Sequence, residues 1–144
     1  MRRARRQNIG LIGMLVLLLI CSLGACSLKN MRQSDEEDLR QRVKGMMEAK
    51  VADDWGKVYD FQIPEYKQRV SKEKFLGISR KMSVLSYSIE SVEMAPSGKK
   101  AAVKVKFSAS VRGFEFSGVI NTQQWIKTNG AWYEKADTEK SGPF

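Results

Sequence analysis

A chain of 144 residues with no histidine and two cysteines has few routes to catalysis or metal binding. The commonest general base, the commonest metal ligand and every Ser-His or Cys-His nucleophile system are absent, and too few thiols remain for a zinc or iron–sulfur site, so neither metal nor cofactor is expected. The 25 Lys+Arg against 16 Asp+Glu give +9, but four of the arginines lie in residues 1–25, leaving 21 against 16, or +5, for residues 26–144; that suits an anionic surface, or solubility alone.

Residues 1–8 carry Arg2, Arg3, Arg5 and Arg6 and no acid, and residues 9–20 are apolar apart from Gly10 and Gly13. Leu23-Gly24-Ala25-Cys26 follows. A basic n-region, an apolar h-region and a small-residue exit describe a secretory signal. The cysteine directly after Ala25 resembles the lipobox of bacterial lipoproteins. That resemblance implies cleavage between Ala25 and Cys26 and a lipid on the Cys26 thiol. It also implies a membrane partner through two or three acyl chains, and Ser27 after the cysteine resembles the outer-membrane default rather than inner-membrane retention. Two other readings stand beside it. Residues 9–25 are marginally short for a membrane span, which needs about 20 apolar residues, and an ordinary secretory cut nearby is possible. Cys21 leaves with the signal, so the lipid reading leaves no orphan thiol. Export to a bacterial cell envelope disfavours nucleic acid as a partner.

The division is then signal 1–25, tether 26–33, one domain over 34–137 and a flexible tail over 138–144. Ser34-Asp35-Glu36-Glu37 reads as a capping box. Leu39, Val43, Met46, Met47, Val51 and Trp55 recur at helical spacing, so a helix is predicted from Asp35 to about Ala52, with Arg40, Arg42, Lys44 and Glu48 on its other sides. Asp53-Asp54 caps a short second helix containing Val58, Tyr59 and Phe61, and Pro64 ends it or begins a turn. Ser71 caps a third helix from Lys72 to about Met82, with Phe75, Leu76 and Ile78 inward.

From Tyr87 the period becomes two. A strand over Tyr87–Met94, a turn at Ala95–Lys99 and a strand over Ala101–Arg112 follow, the last with Val103, Val105, Phe107, Ala109 and Val111 on one face. Phe114–Lys127 is the next strand, with Gly118 a bulge. Asn129-Gly130 is a hairpin turn, and Ala131–Lys135 closes the sheet. The class is α+β: N-terminal helices packed in a curved antiparallel sheet of about four strands.

Local text narrows this class. Ala52-Asp53-Asp54-Trp55 with Val58–Phe61, Ser71–Phe75, Ala101–Val105 after a Ser-Gly-Lys turn, and Trp125-Ile126-Lys127 through Asn129–Tyr133 together resemble the ordered motifs of NTF2-like domains over about residues 34–136. The resemblance implies a cone-shaped fold whose sheet wraps a long helix, with a pocket at the open end. Candidate lining residues are Trp55, Tyr59, Phe75, Phe107 and Phe116; the same aromatics can equally be core. Asp54, Asp60, Tyr59, Tyr66 and Tyr87 are the groups available to an isomerase-like relative, but none sits in a matching catalytic motif, so no catalytic residue is assigned. Lys99, Lys100, Lys104, Lys106 and Arg112 form a basic surface, either a contact for an acidic partner or the solvated face of an outer strand. Trp125 and Trp132 read as a cross-strand staple. The resulting expectation is an exported, lipid-anchored, non-enzymatic interaction or accessory module whose partner the sequence does not name, an envelope protein being one candidate. An apolar ligand cup and an isomerase-like enzyme are the alternatives.

Overall fold

The computed structural model describes residues 31–79 and 81–136. The signal segment, Ala25, Cys26, the first part of the tether and the tail over 138–144 lie outside the described residues. The chain divides into two compact units at Asp35 and Glu36. Of the first unit, residues 31–35 are described, and they are helical. The second unit opens with α1, the helical stretch over residues 36–51. It continues through α2 (Trp55–Asp60), α3 (Pro64–Arg69) and α4 (Lys72–Ser79), then β1 (Met82–Met94), β2 (Lys100–Val111), β3 (Phe114–Thr128) and β4 (Ala131–Glu134).

Residues 31–35 are already helical, so Ser34 is a helical residue and not the predicted cap. Met31, Arg32 and Gln33 tolerate helix well, so the helical backbone includes them. The acids of the expected capping box serve i,i+4 pairs instead: Arg40 donates to Glu36 at 2.9 Å and Gln41 to Glu37 at 2.9 Å. The predicted apolar face is buried at Leu39, Val43, Met46 and Met47, whereas Val51, at the helix end, is exposed.

Asp54 caps α2 as expected, its carboxylate accepting from the Lys57 N–H at 3.0 Å. Asp53 takes φ 58, the left-handed conformation that ends α1 and turns the chain. Pro64 does not merely stop α2. It occupies the first turn of α3, where its missing N–H costs nothing. Ser71 caps α4 by accepting from the Lys74 N–H at 3.3 Å.

That helix stops at Ser79, short of the predicted Met82, and Ile78 is exposed rather than inward. The strand that follows starts at Met82, five residues earlier than its local pattern suggests. Met82 and Val84 are drawn into it by pairing with Val111 and Ala109 across the sheet. Long-range burial has overridden local propensity there.

The four strands form one antiparallel sheet in the order β1-β2-β3-β4. Inward phase on β2 falls on Ala101, Val103, Val105, Phe107 and Ala109, all buried, in agreement with the alternation. Gly118, at φ 70, marks the predicted bulge: the register slips between Phe107 and Ala109. Two further slips on β1, at Leu85 and Glu90, leave the edge strand irregular, which discourages pairing with another chain. The other edge is covered: Gln62 bridges Glu134 in parallel, with Glu134 N–H donating to Phe61 O at 2.8 Å and Ile63 N–H to Glu134 O at 3.0 Å.

One core joins α1, Trp55, Val58 and Phe61 to the inner face of the sheet, with Trp125 and Trp132 at its centre. The tryptophans are not direct partners. Trp125 pairs with Glu134 and Trp132 with Lys127, so they sit diagonally. Among the described residues no helix is long and apolar enough to cross a membrane.

Candidate functional site

The five candidate lining residues fall in three places. Tyr59 of α2 and Phe75 of α4 meet at the helical corner, with Trp55 buried one turn before Tyr59 on α2. There the Tyr59 and Phe75 rings lie 5.4 Å apart, and Tyr66 meets Phe75 edge-on at 6.3 Å. Helical spacing puts Trp55 and Tyr59 on one side of α2, and the α4 cap aims Phe75 at it. The polar tips of this corner are used internally. Tyr59 Oη donates to Val70 O at 2.7 Å, and Trp55 Nε1 donates to Asp53 Oδ1 at 2.6 Å. Phe107 lies away from this corner on the inner face of β2, and Phe116 lies on β3 opposite Ala109, 44% exposed.

Phe107 borders a cleft between the end of α1 and the sheet, lined by Met47, Lys50, Met82, Val84, Asn121 and Gln123. Its volume, counted as positions open to a water centre, is about 30 Å³. One water needs roughly 10–15 Å³ on that measure, so the cleft takes waters rather than an organic ligand. Gln123 is buried there, and its amide is turned inward: Nε2 lies 3.5 Å from Met47 Sδ, and Oε1 accepts from Trp125 Nε1 at 3.1 Å.

A second buried polar group lies beside β4. Gln62 donates through Nε2 to Glu134 Oε2 at 2.5 Å, while Gln62 Oε1 and Trp132 Nε1 have no hydrogen-bond partner among the described residues. Burial, with help from the Glu134 charge and from Tyr59, holds the Tyr66 phenol above its ordinary pKa. Tyr87 is raised in the same direction by burial and by Glu48. The sequence reading missed Gln62, Gln123 and Glu134. Gln123 had a signal, the same inward phase as Trp125; Gln62 had none, because its bridge to β4 is long-range.

Of the isomerase-like candidates, Asp54 is spent on the α2 cap, and Asp60 is an exposed carboxylate 3.8 Å from Lys72 Nζ. Tyr66 and Tyr87 lie on different elements, α3 and β1. No carboxylate is seen buried beside a tyrosine hydroxyl in hydrogen-bond contact among the described residues. Nor does any cluster of three or more acids or cysteines there have the spacing to hold a metal ion.

The basic residues Lys99, Lys100, Lys104, Lys106 and Arg112 are all exposed. Lys100, Lys104 and Lys106 lie on β2, with Lys99 and Arg112 in the turns at its ends, and β2 is flanked on both sides by β1 and β3, which corrects the outer-strand reading: lysine here does not guard an edge. Cross-strand neighbours Ser91 and Thr122 flank Lys104, and Ser88 and Ile120 flank Lys106. The outer face is therefore mostly short polar side chains beneath a few ammonium groups.

No protein-family model matches the chain, and no curated protein matches it. Solved structures do match. One is the solution structure of a SEC-C motif containing protein from Rhodopseudomonas palustris, 15% identical, with a TM-score of 0.51, covering 62% of this chain and 69% of that chain. The likeness is one of fold: helical and sheet elements in a similar arrangement.

Proposed function

We propose that the chain is an exported, lipid-anchored protein of the bacterial envelope whose domain is NTF2-like and works as an interaction module. The observation that carries the choice among modules is the state of the inner sheet face. Side chains of α1, Trp55, Phe61, Trp125 and Trp132 fill it, and the cleft at its margin holds water-sized guests only. A ligand cup needs an apolar cavity of about 300–1,000 Å³, and an isomerase needs a convergent acid and donor in such a cavity. An interaction module needs neither. The lipobox text Leu23–Cys26 supports the anchor, and the basic residues of the outer face support residence beside anionic surfaces. The NTF2-like assignment rests on the ordered motifs over about residues 34–136 and on their agreement with a helix packed inside a bulged antiparallel sheet.

Mass spectrometry of the membrane-extracted protein tests this in one preparation. Under denaturing conditions the expected mass is that of residues 26–144 plus two or three acyl chains, lost in Cys26→Ser. A mass of the full chain sinks the lipoprotein reading. Under native conditions no stoichiometric small molecule is expected; a retained apolar ligand would favour the cup instead.

A further inference from the structure

Near its end α1 buries two methionines in succession, Met46 at 0% and Met47 at 2% exposure. Burial keeps a thioether from oxidants, because susceptibility follows access to the sulfur. The two differ in what they face. Both belong to the core, but Met47 also lines the cleft between the end of α1 and the sheet. Two other walls of that cleft, Lys50 and Asn121, are partly exposed, so it is reached from solvent. Its open volume of about 30 Å³ admits two waters at roughly 10–15 Å³ each. Hydrogen peroxide, two bonded oxygens with no other heavy atom, needs the same room.

A hydrogen-bond deficit marks the same spot. Gln123 is 5% exposed, and its Oε1 is engaged by Trp125 Nε1 at 3.1 Å. Its Nε2 has one acceptor among the described residues, the Met47 sulfur at 3.5 Å. A thioether is a weak acceptor, so a buried amide donor is left short of a full bond. An oxygen on that sulfur would supply it. Met82 shares the cleft, but it is to Met47 that Gln123 donates.

We propose that Met47 is a site of oxidation by hydrogen peroxide, and that the fold holds the resulting sulfoxide through Gln123. Peroxide enters the cleft, and a sulfur lone pair attacks one of its oxygens. The S–O bond forms as the O–O bond breaks. The other oxygen leaves as hydroxide, its charge offset by the Lys50 ammonium on the cleft wall. The proton on the sulfur-bound oxygen passes to that hydroxide, so the products are one sulfoxide and one water. Sulfur has given up an electron pair and peroxide has taken it. The new oxygen is a strong acceptor within reach of Gln123 Nε2, which exchanges a weak N–H···S bond for N–H···O. A sulfoxide ordinarily disrupts a core because it is polar. Here both the donor and the space exist before the oxygen arrives, so the domain takes up one oxygen atom and stays folded.

Hydrogen peroxide added to the full-length chain, followed by tryptic mass spectrometry, tests this. Met46 and Met47 share the peptide 45–50, and fragment ions assign the oxygen to one or the other. Exposed Met31 sets the open rate, and Met46, reached only when the core opens, sets the closed one. Met47 should outpace Met46 by about ten-fold or more. Its sulfur meets the cleft from one side, so one sulfoxide epimer should dominate. Only one of the two epimer-specific sulfoxide reductases should then repair the digested peptide. Near-UV circular dichroism of the oxidised protein should match that of the untreated one. Gln123→Leu should lower Tm by more after oxidation than before it, since the sulfoxide then lacks its donor. Met47 lagging with Met46, an equal mix of epimers, or loss of the folded signal overturns the inference, and these readouts on the parent decide it even where Gln123→Leu fails to fold. A Gln123→Leu penalty that oxidation leaves unchanged overturns the part given to Gln123. The oxygen is located residue by residue, so the outcome is separable from the Cys26 reading.

Discussion

Replacing Arg42 by alanine severs the tie between α1 and the far edge of the sheet. Its Nε donates to the Trp132 carbonyl at 3.0 Å, its guanidinium lies 4.4 Å from the Phe61 ring centroid, and the Tyr133 ring is 5.7 Å away. A hydrogen bond from a charged donor contributes about 1.5–3 kcal/mol, and a partly exposed cation–π contact about 0.5–1 kcal/mol. Arg42 is only half-buried, so solvent screening argues for the lower end, about 2 kcal/mol. For a domain near 100 residues that corresponds to a fall in Tm of about 8–16 °C. Arg42→Lys keeps the charge but not the planar fork, and should recover less than half of the loss. Thermal unfolding followed by circular dichroism reads both. Hydrogen exchange adds a local signature, because the amides of Ile63 and Glu134, which zip the 61–63 segment to β4, should exchange faster in Arg42→Ala. Pairing the change with Phe61→Leu should give losses that do not add, since the two side chains touch. A Tm shift under about 2 °C, or a lysine variant equal to the parent, would refute the argument.

Gly77 lies inside α4 with nothing within 4 Å of an added Cβ, so Gly77→Ala should stabilise by about 0.5–1 kcal/mol through chain entropy alone, visible in urea midpoints. At Gly45 the new methyl would meet Phe61 Cζ at 3.4 Å, an ordinary contact, and Gly45→Ala should gain a similar amount; a loss there would mean that Phe61 cannot give way. Tyr66 is raised in the folded state, first by burial. Its contribution is therefore complete below the unfolded tyrosine pKa of about 10 and lost as pH rises through the higher folded value. A Tm-against-pH series from 8 to 11.5 should fall more gently in Tyr66→Phe than in the parent, and identical slopes would show that Tyr66 is not the group responsible.

Much of the architecture is written locally. Steps of three and four through Leu39, Val43, Met46 and Met47 can bury one face only as a helix. Alternation from Ala101 to Ala109 does so only as a strand with its lysines outward, and Gly118 permits the left-handed bulge that the register needs. The lining aromatics were identified by type, and type does not reveal grouping. Tyr59 and Phe75 converge because α2 and α4 pack together, while Phe107 and Phe116 stand on β2 and β3, one buried and one exposed.

What the residues determine by themselves is periodicity, turn chemistry and the N-terminal targeting text, since each depends on neighbours within a few positions. Tertiary structure alone decided the early start of β1, the bridge from Gln62 to Glu134, the tie of Arg42 to Trp132, the interior place of β2, and the exposure of Phe114. All of these are contacts between residues far apart in sequence, and their free energy comes from burial that no local pattern encodes.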